Sequence, residues 1–100
     1  VSTSVEEQEG ALPREFTLFQ NYPNPFNPQT TIRFDVASGC HVNLTVYDLR
    51  GRQITTLVDK EMKPGAYQVR FSAEGLPSGM YLYEIRMGGY SASHKMIILE

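Results

Sequence analysis

The chain of 100 residues is one domain's worth of polypeptide, with enough apolar side chain for one modest core. Hydrophobic residues make up 41% of it and the formal net charge is −2, with no basic stripe, which excludes a disordered tail and argues against a nucleic-acid surface. A single cysteine, Cys40, excludes an internal disulfide, and the longest apolar run, Met96 to Leu99, is far shorter than the roughly 20 residues a membrane-spanning helix needs.

The sequence opens without an initiator methionine and without a charged stretch leading into an apolar one, so it reads as a piece of a longer protein with any export leader upstream. Residues 1–15, VSTSVEEQEGALPRE, are polar, acidic and aperiodic, and are expected to be a flexible linker or a frayed terminus. From Phe16 the period becomes two. FTLF predicts a short first strand with Phe16 and Leu18 on one side.

Next comes Asn21-Tyr-Pro-Asn-Pro-Phe-Asn-Pro28. Its prolines lack the N–H that would extend a ladder, and they bias Tyr22, Asn24 and Asn27 away from helix. Asn21, Asn24 and Asn27 are suited to Asx-turns, in which the amide oxygen accepts from a nearby backbone N–H. The octet, carried by Asn21, Pro23, Asn24, Pro25, Phe26, Asn27 and Pro28, is expected to be a stiff, self-capped bend. Tyr22 and Phe26 are its candidate apolar anchors, and the prolines are expected to break edge pairing.

TTIRFDV then alternates, with Ile32, Phe34 and Val36 facing one way and Thr31, Arg33 and Asp35 the other. After a turn at residues 37–39, HVNLTVYDL repeats the pattern with Val42, Leu44 and Val46 inward. Gly51 stands where a hairpin needs positive φ, and QITTLV follows as a strand. DKEMKPG reads as a charged loop ending in the Pro64-Gly65 turn. AYQVRFSA sets Tyr67, Val69 and Phe71 on one face, and EGLPSG is another loop. MYLYEIRM and SASHKMIILE form the last pair, joined at Gly88-Gly89. Tyr81 or Tyr83 is a candidate for a tyrosine-corner hydroxyl bond. Seven short strands without a helix predict an all-β, immunoglobulin-like or fibronectin-like antiparallel β-sandwich, with the linker over 1–15 and the domain over 16–100.

No catalytic constellation is legible. His41 and His94 lie in no hydrolase or metalloprotease motif and read as surface histidines, His94 on the outward phase of the last strand. Cys40 and His41 are adjacent on an extended chain, so their side chains point to opposite faces and do not suit one metal ion. The octet offers amide oxygens but no carboxylate, a poor set for Ca²⁺. Asn43-Leu44-Thr45 is a glycosylation sequon in mid-strand. Tyr22, Tyr47, Tyr67 and Tyr90 are the candidates for a sugar-stacking platform, although the chain has no Trp. Neither catalysis nor a cofactor is expected.

Four stretches in order carry a resemblance: FQNYPNPFNPQTTIRFDV, VNLTVYDLRGRQITTLVD, GAYQVRFSAEGLPSGMYLYEIRMGG and SASHKMIILE. Together they resemble the type A C-terminal sorting domain of the type IX secretion system of Bacteroidetes over residues 16–100. The pattern is also similar to the immunoglobulin-like domain of the flagellar hook-capping protein. The resemblance implies a non-catalytic module behind an N-terminal passenger, recognised by an outer-membrane translocon and shuttle proteins and removed by a sortase-like peptidase. It implies passage through the periplasm and delivery to the cell surface or outside, with no nucleic-acid partner and no small-molecule substrate. The family's Gly-x-Tyr-x-Tyr motif matches Gly79, Tyr81 and Tyr83. Its terminal Lys-plus-apolar motif matches Lys95, Met96, Ile97, Ile98 and Leu99, and its turn motif matches Pro64, Gly65 and Tyr67. Family chains often end on Lys or Arg, where this sequence has Glu100. The last strand is expected to be a sandwich edge read by strand addition or surface contact, or else one that simply completes the core. The alternative function is a carbohydrate-binding or structural immunoglobulin-like module appended to a secreted enzyme.

Overall fold

In the computed structural model, the described residues are 4–8, 10 and 12–99, so Glu100 and, of the expected linker, residues 1–3, Glu9 and Ala11 lie outside them. The described residues form eight strands: β1 (Val5–Gln8), β2 (Thr17–Leu18), β3 (Gln29–Val36), β4 (Cys40–Asp48), β5 (Gln53–Met62), β6 (Gly65–Ser72), β7 (Gly79–Met87) and β8 (Tyr90–Ile98). They make two antiparallel four-stranded sheets, ordered β1-β6-β3-β2 and β5-β4-β7-β8. The predicted antiparallel sandwich is therefore what the chain builds.

Alternation produces the core directly. Ile32, Phe34 and Val36 of β3 and Val42, Leu44 and Val46 of β4 are fully buried, as are Tyr83, Ile85 and Met87 of β7 and Met96 of β8. Each such side chain contributes about 1.5–3 kcal/mol of burial free energy. Phe34 stacks on Tyr67 across the β3–β6 pair at 5.6 Å between ring centroids. The Leu49–Arg52 loop joining β4 to β5 contains Gly51 at φ +83°, the positive value expected there.

Two expectations need correction. The strand count is eight and not seven, because Val5–Gln8 pairs with β6 over Val5↔Val69 to Gln8↔Ala66. That pairing is made by main chain, which an acidic side-chain pattern does not announce. The stretch Asp59 to Met62 is also strand and not loop, extending β5 opposite Asn43 to Cys40. Asp59, Lys60 and Glu61 are exposed on this edge strand while Met62 is buried, so the charges lie in solvent.

Asp48 closes the β4–β5 loop. Its carboxylate accepts the Arg50 and Arg52 backbone N–H groups at 2.9 and 3.0 Å, and the Arg52 Nε–H at 2.8 Å. The Arg52 backbone N–H above all, with the Arg52 side chain and the Arg50 N–H adding to it, holds the carboxyl below its ordinary range. A depressed folded value means that the bonus is complete above about pH 4 and disappears as pH falls through the folded value. Asp48→Ala is therefore expected to lower the melting temperature at pH 7 and to match the parent chain near pH 2. Thermal melts of both chains at the two pH values check this.

Candidate functional site

The octet is the part that fixes the end of β8. Two of its residues that keep an N–H, Tyr22 and Phe26, make backbone bridges. Tyr22 exchanges both backbone hydrogen bonds with Thr31 at 3.0 Å, and Phe26 bridges in parallel to Ile98. The Phe26 N–H donates to Ile97 O at 3.0 Å, and the Leu99 N–H donates to Phe26 O at 2.9 Å. Asn24 Oδ1 accepts the Ile97 N–H at 2.9 Å, and Gln20 Nε2 donates to Lys95 O at 2.7 Å. The Ala73 N–H donates to Pro28 O at 2.8 Å. The bonds from Tyr22–Pro23, Asn24–Pro25 and Asn27–Pro28 are all cis.

The octet differs from its expected form in three respects. Phe26 is an anchor, 2% exposed and set edge-on to Phe71 at 6.1 Å, but Tyr22 is 81% exposed and holds its place by backbone bonds, not as an apolar anchor. The octet covers an edge by pairing with it, where prolines alone would only have refused pairing. Its asparagines also reach across the fold. Asn21 is buried, and its amide nitrogen donates to Pro23 O at 3.1 Å and to Thr30 Oγ1 at 2.9 Å, while Asn24 caps a strand 73 residues away.

The motif residues of β7 and β8 divide into two sets. Tyr81, Tyr83, Met96 and Ile98 face the core. Lys95 is exposed, Leu99 is exposed, Ile97 is half-buried, and Met80 and Leu82 lie beside them on β7 in the register Met80↔Ile97 and Leu82↔Lys95. The outer side of this pair thus ends in an apolar strip with one cation, Lys95, in it, while Glu84 and Arg86 make an ion pair further along, opposite Ser93 and Ser91. Gly79 opens β7 at φ +144°, a region that L side chains rarely adopt, so its place in the motif has a backbone cause.

The tyrosine hydroxyls tie strands to loops. Of the two tyrosine-corner candidates, Tyr81 makes the short return, donating to Pro77 O at 2.8 Å. Tyr67 makes the same four-residue return to Lys63 O at 2.8 Å, around the Pro64-Gly65 turn. That second corner was legible in the Gly-x-Tyr spacing that Gly65 and Tyr67 share with Gly79 and Tyr81, each shortly after a proline, and was missed. Tyr83 reaches further, donating to Phe19 O and accepting from the Asn21 N–H, both at 2.7 Å. Burial pushes its hydroxyl well above the ordinary tyrosine range, against a smaller opposing pull from the Asn21 N–H, so it stays neutral.

The remaining candidates are scattered. Cys40 packs against the core, where burial first and then the Glu61 charge raise its thiol, and a backbone contact at Gly88 opposes them. His41 points outward to Asp59, with Nε2 2.5 Å from Oδ1. His94 lies on the inward phase of β8, contrary to expectation: it is half-buried against Tyr83 at 5.8 Å, with Nε2 donating to Leu18 O at 2.8 Å. Among the described residues no group of three or more His, Cys, Asp or Glu is placed to hold a metal. Asn43 faces outward with Thr45 Oγ1 donating to its Oδ1. The four tyrosines of the supposed platform are dispersed: Tyr22 is on the octet, Tyr47 on the outer face of β4, Tyr67 in the core and Tyr90 against Phe16.

A family model described as the secretion system C-terminal sorting domain matches residues 20–99, from the residue before the octet to the end of the apolar strip. No curated protein and no solved structure matches the chain.

Proposed function

Because this chain belongs to the family of secretion system C-terminal sorting domains, we propose that its folded outer surface along β7 and β8 is what the export machinery reads. The chain is a type IX secretion C-terminal signal, and such a signal directs export toward the cell surface or beyond. The finer reading is a non-catalytic label behind an N-terminal passenger. An outer-membrane translocon and shuttle proteins recognise it after transit of the periplasm, and a sortase-like peptidase then removes it.

One observation carries this reading. The octet clamps the last strand at Ile97 and Leu99, and Gln20 just before it holds Lys95, through main-chain and amide bonds, while the outward side chains of the same three residues reach the surface. Core residues of the motif hold the strand in place, and surface residues are available to a partner. Gly79, Tyr81, Tyr83, Met96 and Ile98 then serve recognition by positioning, and Lys95, Ile97 and Leu99 by contact. In this reading the peptidase cuts in the segment before Phe16, and the exposure of Gly10, Leu12, Arg14 and Glu15 between β1 and β2 supports access there.

A reporter fused ahead of the full chain tests the reading. In a bacterium with a type IX system the reporter is expected outside the cell. It is expected to stay in the periplasm in a strain lacking the translocon. Export that does not depend on the translocon would refute the reading.

A further inference from the structure

We propose that the Ser91–Lys95 edge of β8 is a strand-addition site, taking one extended polypeptide segment of the export machinery. The proposal rests on the functional reading above and locates the contact that the reading leaves open.

The argument begins with which edges can accept a strand. In a pleated strand, alternate residues turn their N–H and C=O toward the same side. On β8 the groups of Ile97 face away from β7, since its N–H goes to Asn24 and its C=O to Phe26, and Lys95 C=O faces the same way toward Gln20. Two and four residues back from Lys95, Ser93 and Ser91 present their N–H and C=O in that direction, as Lys95 does its N–H. No hydrogen bond to these groups from outside the β7–β8 ladder is found among the described residues.

The other edges are protected. The β4–β5 register slips between Leu44 and Thr45 and again between Val46 and Tyr47, leaving two bulges that bend β5 away from a flat template. Its straight remainder carries exposed Asp59, Lys60 and Glu61. The strand β1 is four residues long and β2 only two. By contrast, Tyr90 to His94 is uncharged at neutral histidine, lacks Pro and Gly, and pairs with β7 without a slip. The edge next to it already accepts a strand, because Phe26 bridges in parallel to Ile98. An incoming segment would extend that pairing toward Ser91, with main-chain bonds supplying affinity.

Ser93→Pro tests this, because it deletes one outward N–H while edge positions tolerate proline. Ser93→Thr, which keeps the N–H, is the control. With the parent reporter exported, Ser93→Pro is expected to lower export by roughly tenfold or more at an unchanged melting temperature, and Ser93→Thr to export normally. A folded Ser93→Pro chain that exports like the parent overturns the proposal and leaves the functional reading standing. A parent reporter that is not exported through the translocon overturns the functional reading itself. Should Ser93→Pro fail to fold, amide exchange in the unmodified chain decides. The Ser91, Ser93 and Lys95 amides are expected to exchange fast when free and roughly tenfold or more slower with the solubilised translocon. Unchanged exchange in the bound state overturns the proposal.

Discussion

Phe26→Ala is expected to cost about 3–5 kcal/mol, the range for emptying a buried aromatic site. Phe26 is 2% exposed, contacts Phe71 edge-on, and is the only ring the octet sends into the core. A domain of this size has a total stability of roughly 5–15 kcal/mol, so the loss takes a large share of it. The melting temperature is expected to fall by at least roughly 12 °C. The effect should also be local in a particular way. The backbone of Phe26 receives the Leu99 N–H, and neighbouring Asn24 receives the Ile97 N–H, so loosening the ring loosens the clamp on the last strand. Amide exchange at Ile97 and Leu99 should accelerate more than exchange at Leu44 or Ile85 in the centre of the same sheet. Equal acceleration everywhere would mean that the octet is not a separate clamp.

Tyr83→Phe is expected to cost about 3 kcal/mol although it removes one oxygen atom. That hydroxyl is fully buried, donates to Phe19 O and accepts from the Asn21 N–H. Both partners are main-chain groups that would lose this bond, the Asn21 N–H in the interior and Phe19 O in a part-buried position, at about 1–3 kcal/mol each. The hydroxyls of Tyr67 and Tyr81 each have one backbone partner and lack the second, buried bond that Tyr83 receives from the Asn21 N–H, so Tyr67→Phe and Tyr81→Phe should cost about 1 kcal/mol apiece. Urea unfolding of the three variants orders them. A Tyr83→Phe loss no greater than the other two would remove the strand-crossing role assigned here. Tyr83 belongs to the Gly-x-Tyr-x-Tyr motif, and this bridge between β7 and the segment entering the octet is a folding reason for its presence.

The residues that build the sheets announce themselves in the sequence, because alternation is imposed by burial on one side. Ile32-Phe34-Val36 and Val42-Leu44-Val46 could be read directly, and so could Tyr67-Val69-Phe71. Three other features were hidden, each for a physical reason. The pairing of β1 depends on backbone groups that every residue possesses, so Glu6 and Glu7 masked it. The phase of β8 was ambiguous because Met96, Ile97, Ile98 and Leu99 are all apolar. The buried Met96 and Ile98 settle it and carry His94 inward with them. The octet was legible as a stiff bend, since proline and asparagine act locally. Its function as a clamp was not, because Asn24 and Phe26 find their partners at the far end of the chain. The apolar strip was legible only as a run of residues. Which of them reach the surface follows from the register of Met80 with Ile97 and Leu82 with Lys95.

That strip is where the functional account is most exposed to refutation. Replacing its outward side chains together, as Met80→Gln, Lys95→Glu and Leu99→Gln, leaves every buried contact of β7 and β8 in place, and such surface changes are each expected to stay within about 0.5 kcal/mol. The measurement is the fraction of a fused reporter recovered outside the cell, taken beside the melting temperature of the purified chain. Export is predicted to fall by roughly tenfold or more while the melting temperature stays near that of the parent. A triple variant that remains folded and leaves the cell as efficiently as the parent would contradict the claim that this face is the signal.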